Sequence, residues 1–198
     1  MRGLAAMAVG LMLLTCNLPG DAGRASEVNS GKILPQPSDA AILPGALTRF
    51  GATRVAMLDG SRTMLRDLVA ERPAIIALWS SACVPCRTEA RQLLAIRAQV
   101  PPARLAIIYA NPIAGDANSA AGKRFLEQTG GGQLAPVEMA YDDAIRFTRL
   151  SQLSMPRVMF FDAMGRPRAV VVGGIAGPLR GPAPVDKRLM RAVAMILP

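Results

Sequence analysis

The chain has 198 residues, a formal net charge of +9, three cysteines and no histidine. Without imidazole it cannot carry Ser-His-Asp or Cys-His catalysis or a histidine-ligated metal, so its chemistry must use thiols, carboxylates, amines or an external cofactor. The length suits one globular domain with a full core. Its 23 basic residues are scattered. Because no dense basic run with interleaved aromatic residues occurs, we expect a solvated basic surface and no nucleic-acid partner.

The N-terminal segment has the pattern of an export signal. A positive start precedes the apolar run 4–15, which is shorter than the roughly 20 residues that a membrane-spanning helix needs. Residues 1–25 are therefore predicted to direct export. Three outcomes are open: lipidation of Cys16 behind the lipobox-like residues 13–15, cleavage before Ser26, or retention as an anchor.

Residues 26–47 are rich in glycine, proline and polar residues, which predicts a linker, and residues 48–198 are predicted to form the domain. In chain order, hydrophobic periodicity and turn signals predict a strand Val55–Leu58, a helix Met64–Ala70 capped by Thr63, a strand Ala74–Trp79, a helix Pro85–Gln99, a strand Leu105–Ala110, helices Ser119–Thr129 and Asp142–Leu150, a hairpin of Arg157–Asp162 and Ala169–Gly173, and a helix Asp186–Leu197. The fold class is α/β, with a mixed central sheet, helices on both faces and a C-terminal β-hairpin plus helix.

Cys83 and Cys86 form a Cys-x-x-Cys pair between a buried strand and the following helix. Zinc sites and iron–sulfur clusters need four ligands, and this chain has neither a histidine nor a second cysteine pair. We therefore predict a redox pair and no metal. The N–H groups at the helix N-terminus favour a thiolate on Cys83, the expected nucleophile, and Cys86, one turn inside the helix, is the expected resolving thiol. An inert structural disulfide is the alternative.

The stretch Trp79–Glu89, with the sequence WSSACVPCRTE, resembles the active-site segment of the thioredoxin superfamily. It is similar to that of the exported TlpA/ResA-like thiol–disulfide oxidoreductases, which show C-x-P-C-[RK]-x-E. The resemblance covers roughly residues 48–197. Within that range Leu58–Gly60 resembles an early Asp-Gly turn, Ser154–Pro156 the cis-proline loop and Asp162–Gly165 the closing hairpin turn. The resemblance implies a thioredoxin-like fold.

The same resemblance implies roles for three residues. The Met155–Pro156 bond is expected to be cis and to lie beside the disulfide, where Met155 offers backbone groups to an extended substrate segment. Glu89 is expected to assist proton transfer at the buried thiol. It is the local candidate because Ala77 occupies the position at which thioredoxins carry a buried Asp.

Further residues are expected to border the substrate surface, namely Trp79, Ala82, Val84, Pro85 and Arg157. Two of them depart from the family pattern. Ala82 stands where a Trp usually precedes the first cysteine, and Arg157 stands where a small Thr is more common. The choice of partner protein is therefore not carried over from the family.

The resemblance implies a periplasmic enzyme, possessing no cofactor beyond the cysteine pair, that reduces disulfides of cysteine-containing exported proteins, for example in cytochrome c maturation. Its electrons would come from a membrane thiol donor, and its contact with the membrane would be through an N-terminal anchor or lipid. Two other functions fit the same motifs: a disulfide oxidase with a higher reduction potential, and a thioredoxin-fold binding module that does not catalyse. A copper or haem chaperone is disfavoured by the absence of histidine.

Overall fold

The computed structural model describes residues 32–35, 50, 52–148, 153–175 and 184–197. The predicted export segment with Cys16, and most of the predicted linker, lie outside these residues. None of the helices in the described ranges has the length and apolarity needed to cross a membrane.

Eight strands and five helices alternate along the described chain, in the order expected of an α/β domain. The strands are β1 (Lys32–Pro35), β2 (Arg54–Met57), β3 (Arg62–Met64), β4 (Ala74–Leu78), β5 (Ala106–Asn111), β6 (Pro136–Met139), β7 (Arg157–Phe161) and β8 (Pro167–Val172). The helices are α1 (Leu65–Val69), α2 (Val84–Gln99), α3 (Ala120–Thr129), α4 (Tyr141–Thr148) and α5 (Lys187–Ala194), and a short 3-10 turn covers Gly131–Gln133.

All eight strands form one mixed sheet in the order β1-β8-β7-β4-β5-β6-β2-β3. The central neighbours β4, β5 and β6 run parallel, and the remaining pairs are antiparallel. Because the carboxyl ends of parallel strands meet at one edge of a sheet, the segments that follow β4, β5 and β6 lie side by side there. The cysteine pair follows β4, so this edge carries the site.

Both faces of the sheet are covered, as the sequence predicts for β4. All five residues of β4 are buried. Ile75 and Ala77 contribute to a core cluster with α2, α3 and α5, whereas Ile76 and Leu78 contribute to a second cluster that includes α1. Successive side chains of a strand point to opposite faces, so a continuous apolar run is what a doubly covered central strand requires. The predicted fold class is confirmed.

Two short strands within residues 48–198 were not predicted. Arg62–Met64 pairs with β2, so Thr63 lies in strand β3 opposite Val55 and does not cap a helix. Helix α1 begins at Leu65, and no side chain caps it. Strand β6 was also missed. Strands of three or four residues carry few positions from which a period can be recognised, so β2 was predicted whereas β3 and β6, which form by pairing with β2, were not.

Strand β1 lies within the segment predicted to be a linker. Its four residues pair antiparallel with Ala169–Val172 of β8, at the outer edge of the sheet. For Lys32–Pro35 the linker prediction is therefore wrong, whereas the domain boundary at residue 48 and the signal at 1–25 stay predictions. Composition alone could not show this strand, because the edge of β8 offers free backbone groups that pair irrespective of side chain.

Gly122 in the first turn of α3 leaves no room for a side chain. A Cβ atom built there would lie 2.0 Å from the carbonyl oxygen of Asp116 and 2.7 Å from that of Ala117. We expect Gly122→Ala to lower the free energy of unfolding by about 1–3 kcal/mol, since backbone atoms must move to relieve the overlap. Urea denaturation measures it. Gly132→Ala is the matched control, because nothing lies within 4 Å of its built Cβ; equal losses in both variants would contradict the close approach.

Candidate active site

The cysteine pair lies where β4 passes into α2. Cys83 is the residue that precedes the first helical turn, in an extended backbone conformation, and Cys86 lies within that turn. Their sulfur atoms are joined in a disulfide, with an S–S distance of 1.99 Å. Cys83 is partly exposed and Cys86 is buried, while Val84 between them is 63% exposed. An incoming group can therefore reach Cys83 but not Cys86.

The first turn of α2 presents the positive end of the helix dipole to Cys83. Pro85 occupies the start of the helix, where its lack of an N–H group costs no intrahelical hydrogen bond. The Cys86 N–H donates to the Cys83 carbonyl oxygen at 3.2 Å. When the disulfide is reduced, a thiolate on Cys83 would lie at the helix N-terminus, which favours the charged form.

The Met155–Pro156 loop lies at the same edge of the sheet. Strand β7 begins with Arg157, which stands opposite Leu78, the last residue of β4. The peptide bond between Met155 and Pro156 is cis. The Pro156 carbonyl oxygen accepts a hydrogen bond from the N–H of Gly173 at 3.2 Å. The loop therefore approaches the cysteine pair through strand pairing, not through sequence proximity.

Arg157 is partly buried at this border. One guanidinium nitrogen, Nη2, donates to the Ser154 hydroxyl at 2.7 Å. Its Nε is buried and has no hydrogen-bond partner among the described residues. Burial lowers the pKa of Arg157 from its usual value. The structure thus places the Arg157 guanidinium beside the Met155–Pro156 loop.

Glu89 is fully buried one turn beyond Cys86 on α2. Within the described part of the chain, neither of its carboxyl oxygens has a hydrogen-bond partner. Burial raises the pKa of Glu89 well above its usual value, since the charged form is poorly solvated there. Residues three apart on a helix lie on one face, with about 5–6 Å between their Cβ atoms. Glu89 is therefore a protonatable group beneath the buried cysteine.

Solved structures of similar proteins identify the fold of this chain. A secreted disulfide oxidoreductase of Mycobacterium tuberculosis, described as homologous to Escherichia coli DsbE, matches 74% of this chain and 98% of its own, at 20% identity and a TM-score of 0.54. A DsbE-type thiol:disulfide interchange protein of Chlorobium tepidum matches 71% and 89%, at 18% identity and a TM-score of 0.55. A thiol:disulfide interchange protein of Bacteroides sp. matches 73% and 85%, at 17% identity and a TM-score of 0.54. The chain has a thioredoxin fold. No protein-family model and no curated protein matches it.

Within this thioredoxin fold, Trp79 does not face a substrate, contrary to the sequence-based expectation. It is 0% exposed and stacks between Tyr109 and Phe125, at centroid distances of 5.2 and 4.9 Å. Its indole N–H donates to the Tyr109 carbonyl oxygen at 3.1 Å. Because Trp79 continues the alternation of β4, its side chain points into the core on the α2 face. Ala82, Val84 and Pro85 are exposed.

Tyr109 of β5 is a residue that sequence reasoning missed. Its hydroxyl donates to the Cys86 carbonyl oxygen at 3.1 Å, which ties the first turn of α2 to the sheet. Burial raises the pKa of Tyr109 well above its usual value, and the neighbouring Glu89 carboxyl raises it further. The one available signal was an aromatic phenol inside an otherwise aliphatic strand, since a buried hydroxyl needs a partner.

A second missed group lies on the other side of Cys83. Ser81, Asn111 and Asp116 are joined by hydrogen bonds, although Ser81 and Asp116 are 35 residues apart in the chain. Asn111 is the last residue of β5, and a polar residue that ends a buried strand was the available signal. No group of three or more acidic or cysteine residues that could hold a metal occurs among the described residues.

Proposed function

We propose that this chain is an exported thiol–disulfide oxidoreductase that reduces disulfides in periplasmic proteins. The observation that carries the proposal is the position of Cys83, partly exposed at the N-terminus of α2, while Cys86 is buried behind it. A disulfide that served only to staple the fold would not need this asymmetry between its two sulfur atoms.

The reaction begins with the reduced pair. The Cys83 thiolate attacks one sulfur of a substrate disulfide, a mixed disulfide forms, and the other substrate sulfur leaves as a thiolate that takes up a proton. Cys86 then loses its proton and attacks the Cys83 sulfur. The mixed disulfide breaks, the second substrate sulfur leaves and is protonated, and the Cys83–Cys86 disulfide forms. Two electrons pass from the protein to the substrate.

Glu89 supplies the proton acceptor for the second step. A raised pKa brings a carboxyl group nearer to the usual thiol pKa of about 8.5, so that proton exchange with Cys86 is less uphill. Cys86 is 0% exposed, so its thiol is not in contact with bulk water, which could otherwise accept the proton. In the reverse direction, protonated Glu89 returns the proton to the Cys86 sulfur as it leaves.

The substrate segment is expected to bind in extended form along the Met155–Pro156 loop, by backbone pairing of the strand-addition kind. Val84, Pro85, Ala82 and Arg157 would contact its side chains. Because Ala82 lacks the bulk of a Trp, the surface beside Cys83 accepts larger neighbours of the substrate cysteine.

Export and partners follow from the N-terminal pattern and from what similar folds are described to do. The Mycobacterium protein of the same fold is described as secreted and as a disulfide oxidoreductase. We therefore place the chain in the periplasm, with cysteine-containing exported proteins such as apocytochrome c as substrates. A membrane thiol donor returns the electrons. Cys16 lipidation or an N-terminal anchor would attach the chain to the membrane, whereas cleavage before Ser26 would release it.

The direction of transfer is tested by insulin reduction and by a redox titration of the full-length chain against glutathione. We expect catalysed precipitation of insulin and a reduction potential near the thioredoxin value of about −270 mV. A potential near about −120 mV would instead identify an oxidase. Failure both to reduce insulin and to exchange with glutathione would leave only the non-catalytic binding module.

A further inference from the structure

Asp116 holds the turn from which Cys83 projects. The Ser80 carbonyl oxygen accepts the Cys83 N–H at 3.1 Å, so Ser80–Cys83 is a tight turn with Ser81 at one of its two central positions. The Asp116 carboxylate accepts the Ser81 N–H at 2.8 Å on one oxygen and the Ser81 hydroxyl at 2.5 Å on the other. One side chain therefore fixes both polar groups of Ser81.

The carboxylate is itself held in place by the neighbouring strand. The Asn111 side-chain amide donates to Asp116 at 2.7 Å, while the Asn111 amide oxygen accepts the Ile113 N–H at 2.9 Å. Asn111 is 0% exposed at the end of β5, directly beside the end of β4. The support thus runs from a rigid strand, through Asn111 and Asp116, to the turn that ends at Cys83.

Asp116 carries its negative charge at neutral pH. Partial burial by itself raises the pKa of Asp116, but the hydrogen bonds from Ser81 and Asn111 outweigh burial and hold the pKa below its usual value. Since Ser81 and Cys83 are separated by one residue, the carboxylate lies within roughly 10 Å of Cys83. A fixed anion at that distance disfavours a second negative charge.

We propose that Asp116 is a positioning residue of the dithiol site, which holds the Cys83 turn through Ser81 and, by its charge, makes the Cys83 thiolate less stable. The inference rests on the proposed function. A less stable thiolate disfavours the reduced form of the pair, so the disulfide becomes harder to reduce and the dithiol a stronger reductant. The N-terminus of α2 stabilises the Cys83 thiolate, whereas the charge of Asp116 destabilises it.

The other ionisable groups on the elements around the pair are Arg87, Glu89, Arg91 and Arg97 of α2, Tyr109 of β5 and Arg157 of β7. All six stay unchanged in the variants below. Any shift that follows a change at Asp116 therefore reports on this carboxylate alone.

The test is the pKa of the Cys83 thiol in reduced protein, measured from the pH dependence of iodoacetamide alkylation at Cys83 by mass spectrometry. We expect Asp116→Asn to lower that pKa by about half a unit, from a Coulomb interaction at this distance near the surface. At a pH above the Cys83 pKa of both the wild type and the variant, the equilibrium with glutathione should shift about threefold towards the reduced variant. This shift corresponds to a reduction potential about 15 mV higher than that of the wild type. Asp116→Ala must give a shift of the same sign, so that the test stands if one variant does not fold.

Asp162→Asn is the matched control. This carboxylate also accepts backbone N–H groups in a turn, from Met164 and Arg166, but at the opposite end of the sheet. It should leave the Cys83 pKa unchanged. An unchanged Cys83 pKa in the folded Asp116 variants, or an equal shift in Asp162→Asn, would overturn the inference. Alkylation of Cys83 needs no protein substrate, so the pKa of Cys83 can be measured whether or not the protein reduces insulin. A wild type that fails to reduce insulin would refute the proposed function, but the pKa comparison would still test the role of Asp116.

Discussion

We expect the Cys83→Ser variant to reduce insulin no faster than buffer does. We expect the Cys86→Ser variant to accumulate a covalent complex with its substrate. The serine hydroxyl is not ionised near neutral pH, so the first variant has lost its attacking thiolate. The second variant retains the attacking thiolate, because Cys83 is the partly exposed member of the pair. It lacks the thiol that breaks the mixed disulfide, so the reaction stops after one step.

The measurement is non-reducing electrophoresis followed by mass spectrometry of the trapped proteins, from the periplasm of cells that express Cys86→Ser. Cys16→Ser is the matched control, because it makes the same substitution at a cysteine outside the pair; it should retain insulin reduction and trap nothing. Insulin reduction by Cys83→Ser, or trapping by Cys83→Ser in place of Cys86→Ser, would reverse or remove the assigned roles.

Glu89→Gln should change both the pH dependence of stability and the second chemical step. The folded pKa of Glu89 is raised above its unfolded value by burial. Its stabilising contribution is therefore complete below the unfolded pKa and is lost as the pH rises towards the folded pKa. Over that window the wild type should lose stability relative to Glu89→Gln by up to about 1.4 kcal/mol for each pH unit. Urea unfolding at several pH values from 4 upwards measures the difference.

The same variant separates the two steps of exchange. Attack by Cys83 does not use Glu89, so the rate of mixed-disulfide formation should stay near that of the wild type. Resolution by Cys86 should slow by about 10²–10⁴-fold, the usual contribution of a positioned acid or base. Stopped-flow kinetics with a disulfide peptide resolves both phases.

Glu127→Gln is the matched control for both measurements, because Glu127 is exposed on α3. It should alter neither the pH dependence of unfolding nor the resolution rate. Parallel unfolding curves for wild type and Glu89→Gln across this pH range would contradict a buried Glu89 with a raised pKa. An unchanged resolution rate would remove Glu89 from the chemistry and leave it as a buried acid only.

The long helices and strands could be predicted from the sequence, because their hydrophobic periodicity is a local pattern. The apolar run of β4, the helix that follows the cysteines and the hairpin near Gly165 each appear within one or two residues of the predicted bounds. Strands β1, β3 and β6 were not predicted. Each has only three or four residues and is stabilised by pairing with a neighbouring strand. Local pattern carries little information about such pairing.

The burial of individual site residues also could not be predicted from the sequence. Trp79 and Ala82 both precede Cys83 within the motif, yet Trp79 is fully buried and Ala82 is exposed. Motif spacing says nothing about which side of the chain faces the core. That depends on the face of β4 to which Trp79 belongs and on the aromatic side chains that β5 and α3 supply.

The kind of chemistry can be inferred from the amino-acid sequence: there is no imidazole, a single Cys-x-x-Cys pair stands at a strand–helix junction, and a carboxyl group follows three residues further along. These are properties of residue type and local spacing. How that chemistry is tuned depends on contacts that only the folded chain makes. The parallel pairing of β4 and β5 brings Tyr109 to the Cys86 carbonyl and Asp116 to Ser81, and the packing of the folded chain leaves Glu89 0% exposed. Electrostatics and solvation act over distances in space, so residues far apart in the chain set them.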